Sequence, residues 1–165
     1  MNKLTQAALA AFVFGTCSAG AFAGDKWAGC SELGCQKDIP IKLKVPKKCV
    51  VTDGKELTLK TDATNSTSTY SITTNTPYVL HLSTANAGVN INTFVQNDDG
   101  DKIDTVITTA KTAGSTGPAA PSWGNNNYDG LSVDNFTVTA RTKAVVPATK
   151  AAGEYSDTYK IRVYY

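Results

Sequence analysis

The stretch Gly153-Glu-Tyr-Ser-Asp-Thr-Tyr-Lys-Ile-Arg-Val-Tyr-Tyr165 decides the reading of the fold. Tyr155, Asp157, Tyr159, Ile161, Val163 and Tyr165 fall on one side of an extended chain, and Thr158, Lys160, Arg162 and Tyr164 on the other. Strand side chains alternate with a period of two, so this is a strand with one largely apolar face and one polar face. A second stretch, Asp38-Ile-Pro-Ile-Lys-Leu-Lys-Val45, repeats the pattern: Ile39, Ile41, Leu43 and Val45 alternate with Pro40, Lys42 and Lys44. Pro40 donates no ladder hydrogen bond, which suits an edge or added strand better than a central one. Pro46 ends the run.

Working outward, short strand candidates recur at Cys49–Val51, Glu56–Thr61, Thr69–Thr74, Tyr78–Ser83, Val89–Val95, Ile103–Thr108, Leu131–Ala140 and Glu154–Tyr165. Asp53-Gly54, Asp99-Gly100 and Asp129-Gly130 supply turn chemistry between them. Residues Ala110 to Asp129 are rich in Gly, Pro, Ser and Asn and read as a long surface loop. Residues 24–165 hold 21 Thr, 9 Ser and 10 Asn, a composition suited to strands and turns. Together these predict an all-β protein, a β-sandwich of immunoglobulin-like type.

The first 23 residues read as an export signal. Lys3 is followed by an apolar run from Ala7 to Phe14, and Ala21-Phe22-Ala23 fits the A-x-A cleavage pattern, so Gly24 becomes the mature start. Gly15 and Gly20 keep the run too short to span a membrane. A lipoprotein signal on Cys17 is disfavoured by Thr16, where such signals carry a smaller residue. Cleavage removes one cation and no acid, so the net charge falls from +2 to +1. That balance gives no electrostatic case for nucleic acid.

One His and one Met leave little for a multi-histidine metal site or a His-relay enzyme, and no Ser or Cys nucleophile has an assignable base. No catalytic residue, metal or cofactor is expected. Asp98, Asp99, Asp101 and Asp104 lack the EF-hand spacing and read as a solvated turn. His81 falls opposite Tyr78, Leu80 and Leu82 and reads as a surface strand residue. Lys42, Lys44, Lys47 and Lys48 make a basic patch that solvates the polar face of the first amphipathic segment.

A cleaved signal, an alternating apolar N-terminal segment, a Thr-rich sandwich body and a final Gly-x-Tyr strand ending in an aromatic together resemble a chaperone–usher pilus (fimbrial) subunit. The ending GEYSDTYKIRVYY is similar to that of archaic-type pilins and spore-coat-U-like domains, whereas KDIPIKLKV resembles the start of colonisation-factor (alternate) pilins. In many pilins the terminal aromatic is penultimate and the glycine lies one place further from the end. Here Tyr165 is last and Gly153 is thirteenth from the end, so their mutual spacing is kept.

The resemblance implies an incomplete immunoglobulin-like sandwich, completed by donor-strand complementation. It divides the chain into a signal peptide (1–23), an N-terminal extension (24–38), a donor strand (39–46) and a pilin domain (47–165). Ile39, Ile41, Leu43 and Val45 are then the donor side chains between subunits. Tyr155, Tyr159, Ile161, Val163 and Tyr165 border the acceptor groove and meet the chaperone. The expected partners are identical or related pilin subunits, a periplasmic chaperone, an outer-membrane usher, and a host receptor or abiotic surface. The expected location is the cell surface, reached through the periplasm, in a fimbrium used for adhesion or biofilm formation. Donor and acceptor differ, so the contact is heterologous and propagates as a fibre. The mature length suits a shaft subunit better than a two-domain tip adhesin.

The cysteines depart from this pattern. Most such pilins pair a Cys in the first strand with one in the second; Cys49 occupies the first place and no Cys follows it. Among Cys30, Cys35 and Cys49, a Cys30–Cys35 bridge is the leading expectation. A Cys35–Cys49 bridge ranks lower, because it would clamp the donor segment at both ends. A rival function is a monomeric exported β-sandwich that binds carbohydrate through the Trp123–Tyr128 loop, where Trp123, Asn126 and Tyr128 offer aromatic and amide chemistry.

Overall fold

A computed structural model of the chain describes residues 37–165. The expected signal peptide, most of the N-terminal extension, Cys30 and Cys35 lie outside the described residues. The chain divides into two units after Lys44. Residues 37–44, the described part of the first unit, carry no regular secondary structure. A strand needs a ladder partner, and the segment expected at 39–46 has none among the described residues.

The second unit is all-β among the described residues. Its strands are β1 (Cys49–Asp53), β2 (Ser66–Thr74), β3 (Tyr78–Thr84), β4 (Thr93–Gln96), β5 (Lys102–Ala113), β6 (Gly124–Tyr128), β7 (Val133–Thr142) and β8 (Tyr159–Tyr164). They form two antiparallel sheets, a five-stranded one in the order β1-β2-β7-β5-β4 and a three-stranded one in the order β6-β3-β8. This is the β-sandwich of immunoglobulin-like type that the alternation implies, with three strands facing five.

Several expected elements are corrected. Glu56–Thr61 is not a strand, although Leu57 and Leu59 alternate with polar neighbours. The Lys55, Thr58 and Lys60 carbonyls accept from the hydroxyls of Ser68 (2.7 Å), Ser66 (2.5 Å) and Thr142 (3.3 Å), an arrangement that replaces ladder pairing. The strand expected from Val89 starts only at Thr93, because Asn90 Oδ1 accepts the Asn92 amide in a local turn. The long loop expected from Ala110 to Asp129 loses both its ends to strands. Strand β5 runs on to Ala113, and the Gly-Asn-Asn-Asn-Tyr of β6 pairs with β3 despite its poor strand propensity. The last strand starts at Tyr159 rather than Glu154.

The core is built by inward residues of β2, β3, β6 and β7: Tyr70, Ile72, Tyr78, Leu80, Leu82, Tyr128, Phe136 and Val138. Directly opposed aromatics stack across the ladders, Tyr70 on Phe136 at 5.0 Å and Tyr78 on Tyr128 at 5.3 Å. Tyr128 then meets Phe136 edge-on at 5.5 Å and so links the two sheets.

Beside these rings lies Asp134 of β7, which is fully buried. Its carboxylate accepts from Tyr78 Oη of the facing sheet (2.6 Å), from Ser115 Oγ (2.7 Å) and from the Ser115 amide, and Lys111 Nζ stands 3.6 Å away. Gly114 permits this approach: at a φ of 113°, a Cβ there would lie 2.0 Å from Asp134 Oδ1. Burial opposes ionisation of Asp134, but the Tyr78 and Ser115 hydrogen bonds and the Lys111 charge outweigh it and hold the carboxyl below its ordinary range.

Asp134→Ala leaves the Tyr78 hydroxyl without its partner and the largely buried Lys111 ammonium without its counter-charge. It is expected to cost about 3–5 kcal/mol in chemical denaturation. Because the folded pKa is depressed, the contribution is complete above the unfolded value of about 4 and is lost as pH falls through the folded one. Acid titration of Asp134→Asn should therefore show a flatter loss of stability below about pH 4 than the wild type.

Candidate functional site

Strand β8 is hydrogen-bonded to β3 along one edge only, since it ends the three-stranded sheet. Beyond its free edge, the five-stranded sheet continues uncovered. A groove of about 730 Å³ lies there. Its floor is the inner face of the larger sheet: Tyr70 of β2, Val138 and Ala140 of β7, Ile107 of β5 and Val95 of β4. One wall is β8 with the residues that lead into it, through Tyr155, Tyr159 and Ile161; the other is the strap 54–61, through Leu57 and Leu59. Gln96 and Ser156 exchange backbone hydrogen bonds (3.1 and 3.0 Å), joining β4 to the chain leading into β8.

The groove floor is mostly apolar, while its walls also carry polar and charged residues, among them Lys55, Glu56, Lys60, Glu154 and Asp157. Tyr159 and Thr109 share a hydroxyl–hydroxyl bond of 2.7 Å, and Trp123 packs edge-on against the Tyr159 ring at 5.8 Å. Burial pushes the Tyr159 phenol up, against hydrogen bonding that favours its ionised form. The Tyr70 hydroxyl is buried near that of Tyr159, yet it makes no hydrogen bond of good geometry among the described residues. Burial is the main cause that drives the Tyr70 phenol far above its ordinary range. An orphaned buried hydroxyl of this kind costs about 1–3 kcal/mol.

The arrangement suits an extended apolar chain. Such a chain can take ladder hydrogen bonds from the free edge of β8 and set alternate side chains into the groove. Among the described residues, no group of His, Cys, Asp or Glu side chains is placed to hold a metal. Asp101 of the acidic turn is paired with Lys150 at 3.2 Å.

Of the residues expected at the groove edge, Tyr155, Tyr159 and Ile161 line it. Val163 packs against the core instead, and Tyr165 lies outside with Lys47 Nζ 5.5 Å over its ring. The floor residues Tyr70, Ile107, Val138 and Ala140 and the strap residues Leu57 and Leu59 were not singled out by sequence. Their only signal is the inward phase of each alternation. Ile39, Ile41, Leu43 and Val45 are 69–96% exposed, an unusual state for four large apolar side chains in alternate positions.

The expected sugar contacts at Trp123, Asn126 and Tyr128 are corrected. Asn126 and Tyr128 belong to β6 and face inward, while Trp123, the residue before it, is half-buried against the core. Asn126 is buried and donates to the Ser122 and Gly124 carbonyls (2.8 and 3.1 Å), while Tyr128 is buried and donates to the Pro118 carbonyl at 2.9 Å. Burial, then the Asp134 charge, push the Tyr128 phenol up to about 12. Cys49 opens β1 as a half-buried thiol packed against the core, and burial raises its pKa. Its disulfide expectations involve Cys30 and Cys35, which lie outside the described residues.

No family model matches the chain, and no curated protein matches it in sequence. Among solved structures it is similar to the CsuC–CsuE chaperone–tip adhesion subunit pre-assembly complex from archaic chaperone–usher Csu pili of Acinetobacter baumannii. The identity there is 18%, the TM-score 0.42, and the match covers 73% of this chain and 40% of that one. It is also similar to a family 123 glycoside hydrolase from Clostridium perfringens, at 14% identity and a TM-score of 0.40, covering 73% of this chain and 25% of that one. The chain thus spans less than half the length of either. Neither likeness assigns it an activity.

Hydrogen exchange checks the open edge. In residues 45–165 alone, alternate amides of β8 should exchange far faster than those of β3, its fully paired neighbour. Uniform protection along β8 would mean that its outer edge is covered.

Proposed function

We propose that the chain is a non-enzymatic structural pilin of the chaperone–usher type that polymerises by donor-strand exchange. One observation carries this reading: an apolar groove beside a free strand edge, in a chain whose residues 39–45 present four alternating apolar side chains to solvent. In the fibre, Ile39, Ile41, Leu43 and Val45 of one subunit fill the groove of the next. Burying four such side chains contributes roughly 6–12 kcal/mol before ordering costs, at 1.5–3 kcal/mol each. Ladder bonds to β8 add to this, and Pro40 marks where the ladder lacks a donor.

Before assembly the groove needs a temporary occupant, because an open apolar cleft and a free strand edge invite aggregation. A periplasmic chaperone fills that role, and an outer-membrane usher exchanges it for the next subunit. The subunit then belongs to a surface fimbrium reached through the periplasm, used in adhesion or biofilm formation. The residues that meet the chaperone are Tyr155, Tyr159 and Ile161.

Size-exclusion chromatography and unboiled SDS gels of residues 24–165 and 47–165 test the proposal. The longer chain is expected to form SDS-resistant ladders and the shorter one to stay unpolymerised. Ile41→Asp with Leu43→Asp should abolish the ladders while leaving the chaperone complex intact. Normal fibres from that double variant would rule out the donor assignment. Removal of residues 163–165 should lower periplasmic recovery, since Val163 anchors the end of β8 on the core.

A further inference from the structure

The outer face of the three-stranded sheet combines cations, amides and aromatic rings. The three strands contain no Asp or Glu. Their outward positions carry Asn125 and Asn127 on β6, His81 on β3, and Lys160, Arg162 and Tyr164 on β8. The ladders set Asn125, His81 and Arg162 in one row, directly opposite one another across three strands. Asn127 and Tyr164 flank Val79 in the next row.

The row is partly organised. His81 donates from Nδ1 to Asn125 Oδ1 at 2.8 Å, and the Tyr164 ring meets the imidazole edge-on at 6.3 Å. The imidazole is thereby fixed between a neighbouring amide and an aromatic ring, with no hydrogen bond to Nε2 among the described residues. Neither Lys160 nor Arg162 has an ion-pair partner among the described residues. Among the described cations, Lys111 and Lys150 are the ones matched by an aspartate. Two unmatched cations on an acid-free face attract an anion, and the planar fork of Arg162 matches a carboxylate in two parallel hydrogen bonds. The amides and the half-exposed Tyr164 ring add hydroxyl recognition and a surface for a sugar ring, which a ligand bound by charge alone does not use. Adjacent strands lie about 4.8 Å apart, so a row of three spans roughly 10 Å, wide enough for a polymer to lie across the strands.

We propose that this face binds an acidic polysaccharide. Arg162 and Lys160 take its uronate carboxylates, Asn125, Asn127 and His81 take its hydroxyls, and Tyr164 lies against a sugar ring. Outward residues alone are used, so the site is distinct from the groove and operates whether or not the chain polymerises. It also relocates sugar chemistry on β6: the available amides are Asn125 and Asn127, one residue out of phase with the buried Asn126 and Tyr128.

The test is retention and affinity of the mature full chain on immobilised polygalacturonate, with dextran as the neutral polymer and inorganic polyphosphate as the non-sugar anion. The wild type is expected to bind polygalacturonate, more weakly as salt rises, and to ignore dextran. Lys160→Gln with Arg162→Gln should lower the affinity by roughly tenfold or more, the effect of losing charge-assisted hydrogen bonds. Tyr164→Ala, a neutral change outside the groove, should lower polygalacturonate binding while leaving the salt dependence unaltered. Thermal unfolding of each variant confirms that it is folded. A wild type that does not bind polygalacturonate, a charge variant that binds it undiminished, or polyphosphate bound as tightly as polygalacturonate each overturns the proposal. So does loss of self-association in these variants with no polymer bound, which assigns the face to a second copy of the chain.

Discussion

Strand β8 satisfies one of its two backbone edges, and much of the structure follows from that. With three strands facing five, the inner face of the larger sheet extends past its cover. The uncovered part is mostly apolar, and half-buried side chains such as Ile107 in its floor and Tyr159 and Ile161 at its wall lie outside a closed core. Hydrophobic burial is proportional to area removed from water, so a core left open in this way holds back stabilisation that an added strand can still provide. The orphaned Tyr70 hydroxyl belongs to the same deficit.

A sandwich with an open side must be held together elsewhere. The stacked and edge-on aromatics Tyr70, Phe136, Tyr128 and Tyr78 lie away from the opening, apart from Tyr70, which also forms part of the groove floor. The Asp134 carboxylate, with Tyr78 from the facing sheet and Ser115 and Lys111 from its own side, ties the two sheets through a buried polar network. Such a network is costly to break because Tyr78, Ser115 and Lys111 all lose a charged partner in surroundings with little water. The three-stranded sheet therefore keeps its position over the larger one while β8 remains open.

Much of the fold was legible in the alternation of apolar and polar residues, because one buried face per strand imposes a period of two on the sequence. The strands at Thr69–Thr74, Tyr78–Ser83 and Ile103–Thr108 were placed within a few residues, and the amphipathic character of Tyr159–Val163 was plain. Two segments misled for opposite reasons. Leu57 and Leu59 alternate like a strand, but hydroxyls of Ser66, Ser68 and Thr142 take the strap's carbonyls in place of a ladder. Asn125 to Asn127 look like a loop, but β3 offers them an edge, and Asn126 satisfies its side chain on nearby carbonyls.

The sequence by itself determined the class of the fold, the two amphipathic segments and the inward or outward phase of most strands. These depend on local alternation, which any strand carries with it. Tertiary structure decided which strands lie side by side, that Asp134 meets Tyr78 from 56 positions away in the chain, and which residues of the five-stranded sheet form the floor of the groove beside β8. It also decided that Asn125, His81 and Arg162 form one row. Those facts depend on register between distant segments, and a period of two is the same for every partner a strand might choose.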